Sequence, residues 1–131
     1  MNTRMAMALV AVALTLGGTV EAATLASAPN YGGYAVLSGG TATCRLFNAG
    51  SGTAQINSRQ IINNAGAVTP LINDSCGSGL GPSQSCQFDA TITGNLAFAC
   101  RVTDSGTGII VRGVSEITST SGVILNDLPM Q

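Results

Sequence analysis

The sequence predicts an all-β protein, a two-sheet sandwich stapled by two disulfides, and three observations carry that prediction. Apolar residues recur with a period of two rather than 3.6. Outside the N-terminal segment no window offers a helical stripe, because Gly, Thr, Ser and β-branched residues interrupt every candidate. The cysteines number 4, an even count, and all lie beyond that segment.

Met1 to Arg4 carry one positive charge, and Met5 to Leu16 form an apolar run that Gly17, Gly18 and Thr19 end before the small residues Ala22 and Ala23. That order is the one of a secretory signal peptide. The run is shorter than the roughly 20 residues that cross a bilayer, so no membrane span is expected after signal cleavage. Val20-Glu21-Ala22 is the best small-residue pattern and places the cut before Ala23; Ala26-Ser27-Ala28 also fits but leaves Pro29 after the cut. The absence of a cysteine near the site excludes a lipid anchor there. The expected organisation is therefore a signal peptide over 1–22, a flexible N-terminal leader over 23–33, and a single β-sandwich domain over 34–131. The leader includes Tyr31, and with Tyr34 beside Gly32 and Gly33 it is a conceivable docking segment, although a flexible tail is the expected state.

Strands follow in order. The first is expected near Tyr34 to Leu37. Ala42, Cys44 and Leu46 alternate with Thr43, Arg45 and Phe47, which marks a half-buried strand. Further strands are expected over Ala54 to Ile62 and Val68 to Ile72. Cys86, Phe88, Ala90 and Ile92 then alternate with Gln87, Asp89 and Thr91, and Leu96, Phe98, Cys100 and Val102 form another such face. Ile109 to Ile117 and Val123 to Leu128 complete the set. Turn clusters separate them at Asn48 to Gly52, Asn63 to Gly66, Gly77 to Gln84, Asp104 to Gly108 and Thr118 to Gly122. Seven or eight short strands at regular spacing favour an immunoglobulin-like sandwich over a closed barrel. With Trp 0 in the composition, the core rests on Val, Ile, Leu and the bridges.

In three of these strands the cysteine sits on the apolar face, so the bridges are expected to be interior. Four cysteines allow three pairings. One internal echo selects among them: Cys44-Arg45-Leu46-Phe47-Asn48-Ala49-Gly50-Ser51-Gly52 matches Cys100-Arg101-Val102-Thr103-Asp104-Ser105-Gly106-Thr107-Gly108, each a strand ending in an Asx-x-Gly turn. Two equivalent strands far apart in sequence are what a sandwich joins through its core. Cys44 is therefore paired with Cys100, and Cys76 with Cys86 across the local Gly-rich loop. In the chain-entropy model the long bridge contributes about 4 kcal/mol and the short one about 3 kcal/mol.

Charge excludes several functions. Beyond residue 22 there are Arg45, Arg59, Arg101 and Arg112 against Asp74, Asp89, Asp104, Glu116 and Asp127, with no lysine or histidine. So sparse a cationic complement argues against nucleic acid as a partner and against a polybasic membrane patch. The missing histidine removes Ser-His-Asp and Cys-His catalysis, and the missing lysine removes Schiff-base and Ser-Lys mechanisms. Carboxylate pairs remain, but Asp104 reads as a turn residue, Asp127 lies near a terminus, and Asp89 and Glu116 fall on polar strand faces. No C-x-x-C pair exists, so neither a structural zinc nor any other cofactor is expected. Gly77-Ser78-Gly79-Leu80-Gly81 has no following helix or lysine, and is read as a loop rather than a phosphate cradle. Asn73-Asp74-Ser75 is a glycosylation sequon only in a host that uses one. Arg45 and Arg101, each following a cysteine, are candidates to flank a shared anion, but pairing with Asp89 or Glu116 is the expected arrangement.

Two stretches carry a family likeness. The segment around Asn48-Ala49-Gly50, and the run from Cys76 to Phe88 (CGSGLGPSQSCQF), resemble the immunoglobulin-like modules of the ASH/MSP type found in bacterial secreted and surface proteins. The likeness spans about Cys44 to Val102; the apolar-x-Pro continuation seen in larger modules is absent from Ala90 to Asn95. The resemblance implies scaffolding or binding rather than catalysis and carries over no functional residue. The expectation is a non-enzymatic exported module, periplasmic or extracellular, acting on a protein or glycan partner. The alternative is a pilin-like or coat-like assembly subunit in which Ala23 to Leu37 is the donor strand. A small carboxylate-dependent hydrolase is a distant third.

Overall fold

The structure, a computed structural model, describes residues 22–32, 39–92 and 96–131. The signal peptide read over 1–22, save Ala22, and the strand expected at Tyr34 to Leu37 lie outside them. Among the described residues there are ten strands and no helix: β1 Ala23–Ala26, β2 Gly40–Asn48, β3 Ala54–Asn63, β4 Val68–Thr69, β5 Asn73–Asp74, β6 Gly79–Leu80, β7 Ser85–Ile92, β8 Phe98–Ser105, β9 Val111–Ser119 and β10 Ile124–Met130. They make two antiparallel sheets. The first runs β1-β8-β3-β4, with β6 also on β3, and the second runs β10-β9-β2-β7-β5.

Register fixes what faces inward, because paired residues share a face. In the second sheet Cys44 lies between Phe88 and Ser115, Ala42 between Ala90 and Ile117, and Leu46 between Cys86 and Gly113. In the first, Cys100 pairs with Ile61 and Val102 with Arg59. The inward side chains of Leu46, Ile61, Phe88, Ile92, Val102 and Ile117 are fully buried between the sheets. Cys44 and Cys100 join the sheets through this core, with Cα atoms 5.9 Å apart, and Cys76 and Cys86 close the Gly-rich loop at 4.8 Å. Both pairings are those the echo predicts, and all four cysteines are buried. The two echoing turns also touch. Ala49 N donates to Ile110 O at 2.8 Å, and Ser51 N and Gly52 N donate to Gly108 O at 2.9 and 3.0 Å.

The N-terminal leader expected over 23–33 is corrected. Ala23–Ala26 is strand β1, paired with Asp104 to Arg101 of β8. Ala26 also exchanges both backbone hydrogen bonds with Gln131, at 2.9 Å each. Ser27 then bridges to Met130 and Asn30 to Phe98. This segment is thus a seam between the first sheet and β10 of the second. Its short Ala-Thr-Leu-Ala run lacks a strong alternation, and its partners are remote in sequence, so local pattern does not reveal it. The strand expected over Val68 to Ile72 is broken at Pro70, which has no N–H for a ladder: only Val68–Thr69 of it is strand, as β4, and β5 follows beyond it at Asn73–Asp74.

That split laces the other side of the sandwich. β4 pairs with β3, β5 with β7, and β6 returns to β3. Arg59, on β3, ion-pairs through Nε with Asp74 of β5 and donates from Nη1 to Gly77 O at 3.0 Å. Strand edges that would template pairing with another chain are thereby shortened and covered.

Candidate functional site

The outward face of the second sheet carries the most chemically varied surface. Alternation places Arg45 and Phe47 outward on β2; their partners are Gln87 and Val114 for Arg45, and Ser85 and Arg112 for Phe47. Arg45 is positioned by Nε donating to Glu116 Oε2 at 3.0 Å and Nη1 donating to Gln87 Oε1. Phe47 is 43% exposed, an aromatic ring left in water with Arg112 across from it on β9 and Arg45 two residues before it on the same outward row of β2. Among the described residues the Arg112 side chain has no hydrogen-bond or ion-pair partner.

Two hollows meet here. One of about 470 Å³ is lined by Arg45, Asn73, Asp74, Ser75, Ser85 and Gln87, and another of about 260 Å³ by Arg45, Phe47, Ser85, Arg112 and Val114. Arg45 and Ser85 border both, so the hollows form one shallow surface across β5, β7, β2 and β9. The next row of the same face is acidic: Asp127 lies opposite Glu116, and Asp89 lies across Thr43 from it. Asp89 Oδ2 accepts from Asn73 Nδ2 and Gln87 Nε2, both at 3.3 Å. The arrangement can offer an aromatic ring, guanidinium and amide donors, and the exposed Asp127 carboxylate to one partner, whereas Asp89 is buried rather than the solvated charge that a polar strand face implies, and its Oδ1 has no hydrogen-bond partner.

Arg45 pairs with Glu116 as expected, but Arg101 does not share its face. Arg101 lies on the outside of the first sheet, donating from Nε and Nη2 to Gln60 Oε1 at 3.1 and 2.6 Å. Cys44 and Cys100 point toward each other, so the residues after them point to opposite exteriors, and a shared anion between these arginines is overturned. Asp104 is corrected as well. It is not a turn residue but lies within β8 as the continuation of the inward row Phe98, Cys100 and Val102, and it is buried. Asp74 Oδ1 accepts from Cys76 N at 3.0 Å while Oδ2 holds Arg59. Among the described residues no three His, Cys, Asp or Glu side chains cluster to hold a metal ion.

Sequence reasoning missed two buried asparagines that tie separate parts of the chain together. Asn48 is fully buried, its Nδ2 donating to Gly52 O at 2.7 Å and Leu80 O at 2.9 Å. Asn30 is also buried, its Nδ2 donating to Ser115 O at 3.0 Å. Their polarity disguises them as loop residues; for Asn48 the inward parity after Leu46 was an available signal. Compared with protein-family models, with curated proteins and with solved structures, this chain matches none.

Proposed function

We propose that the protein is a non-enzymatic exported binding or structural module that engages a protein or glycan partner through the outer face of the second sheet. The single observation that carries this reading is the exposed Phe47, with Arg45 and Arg112 beside it, lining a hollow that is continuous with a second one. Exposed aromatics with planar polar neighbours supply contact area at low conformational cost and are common anchors of interfaces. Export to the periplasm or extracellular space fits the N-terminal pattern and the two buried disulfides, which persist in oxidising compartments. Among the described residues no helix is long and apolar enough to cross a membrane. The immunoglobulin-like identity of ASH/MSP type belongs to the same proposal, supported by the two-sheet build and the bridge between sheets.

The test places a photo-crosslinking amino acid at position 47, or at position 101 on the opposite exterior, in the protein expressed in its producing cell, alongside a glycan array probed with wild type and Phe47→Ala. Adducts from 47 and not from 101, or array signals lost in Phe47→Ala, are expected. Adducts arising only from 101, with array signals untouched by the substitution, would overturn the choice of face.

The assembly-subunit reading draws support from one feature, β1, whose ladder on β8 is geometrically available to the β8 of a neighbour. Deleting 23–33 abolishes polymers under that reading; polymers that survive the deletion would refute it.

A further inference from the structure

Asp104 ends the inward row of β8 with 4% of its surface exposed, and its Oδ1 has no hydrogen-bond partner. Burial pushes its carboxyl above the ordinary aspartate value, against the smaller opposing effect of a hydrogen bond from its own backbone. A buried carboxylate calls for a cation. The arginines among the described residues are placed elsewhere: Arg45 on Glu116, Arg59 on Asp74, Arg101 on Gln60, and Arg112 on the outside of the second sheet. The chain has no lysine or histidine. β1 carries no titratable side chain, β3 carries only Arg59, and the turns 49–53 and 106–110 carry none.

The ladder shows what stands opposite. Ser27 N donates to Cys100 O at 3.0 Å, which makes these two a hydrogen-bonded pair. Alternation along antiparallel strands makes Leu25 with Val102, and then Ala23 with Asp104, the next two such pairs. The amide nitrogen of Ala23 therefore faces the main-chain carbonyl of Asp104, on the very residue that carries the buried carboxylate, while the backbone of Ala26 faces Gln131. Ala23 is also the residue after the best cleavage pattern in the sequence.

We propose that the Asp104 carboxylate is the receptor for the α-ammonium group that signal cleavage creates on Ala23, so that processing completes the charge pairing of the domain. This rests on the export reading and on the cut before Ala23. Hydrolysis of the Ala22–Ala23 peptide bond consumes one water and leaves a carboxylate on Ala22 and an ammonium on Ala23, with no other reactant. Before the cut, the nitrogen facing Asp104 is a neutral amide. Afterward it is the one cation positioned on the ladder beside that carboxylate. A single additional residue moves the ammonium about 3.4 Å along the strand, away from the pair.

Two proteins test this, one released from a fusion so that it starts at Ala23 and one carrying a single glycine before Ala23, each with and without Asp104→Asn. The Ala23 start is expected to melt about 4 to 8 °C above the extended form. Asp104→Asn is expected to erase the difference and to raise the reactivity of the Ala23 amine toward an acylating reagent. Equal melting of the two starts, or a difference that persists in Asp104→Asn, overturns the receptor. N-terminal sequencing of protein from its producing cell is read separately. A start other than Ala23 overturns both the cut site and this proposal for the natural chain. A start at Ala23 without coupling to Asp104 leaves export standing and removes the receptor alone.

Discussion

Replacing Asn48 by alanine is expected to cost about 4 kcal/mol. The side chain is 0% exposed and ties three loops together. Its Nδ2 donates to Gly52 O and Leu80 O at 2.7 and 2.9 Å, and its Oδ1 accepts from Gly50 N at 2.9 Å and Ile110 N at 3.4 Å. Each of the three short bonds contributes about 1 kcal/mol net, and stranding buried partners adds a desolvation cost that admitted water partly offsets. Against a total of ~5 to 15 kcal/mol this is a large fraction. In urea, with a slope of about 2 kcal/mol/M, the unfolding midpoint falls by about 2 M. Asn48→Asp discriminates between geometry and volume. It is isosteric, yet it turns the donor into an oxygen facing two carbonyls and buries a charge, so it is expected to be at least as damaging as alanine. A midpoint shift under about 0.5 M for Asn48→Ala, or a benign Asn48→Asp, would refute the account of Asn48 as the tie between these loops.

Reducing both bridges removes the loop closures worth about 4 and about 3 kcal/mol, so the reduced chain is expected to be marginal or unfolded by near-UV circular dichroism; an unchanged melt with reduction confirmed by mass would contradict this. Gly52→Ala is expected to cost more than about 2 kcal/mol, because a Cβ there would overlap the carbonyl oxygen of Thr107, and the readout is again the urea midpoint. Arg59→Ala opens the half-buried pair with Asp74 and is expected to cost about 1 kcal/mol, with faster proteolysis within residues 67–80 as the local signature. In a chain extended beyond Ala23, the raised Asp104 value means that stability from this group is full below the unfolded aspartate value and is lost as pH rises through the folded one. Asp104→Asn is expected to flatten that decline in urea midpoints collected from about pH 3 to 7.

Period-two patterning located the core because the sheets are half-buried surfaces. Ala42, Cys44 and Leu46, and Cys86, Phe88, Ala90 and Ile92, all face inward as read. The same rule carried one step further would have taken Phe98, Cys100 and Val102 on to Asp104. A turn signature, Asp-Ser-Gly, competed with parity, and parity prevailed because β8 runs to Ser105. For Phe47 the conflict was the reverse: an aromatic side chain suggests burial, while its position after Arg45 fixes it outward. β1 was illegible for a different reason. Four small or ordinary residues acquire their conformation from β8 and Gln131, and no local preference encodes a partner that distant. The candidate surface, likewise, exists only once β5, β7, β2 and β9 are side by side.

The bond pair between Ala26 and Gln131 also sets a timetable. A chain that emerges from a ribosome or a channel with its N-terminus leading presents β1 first, when neither of its partners has yet appeared. Residue 131 must be free before that strand can be held on both sides, and closing so long a loop is entropically slow. Until then the first sheet and β10 stay unjoined along this side, and the seam closes only once residue 131 has been made.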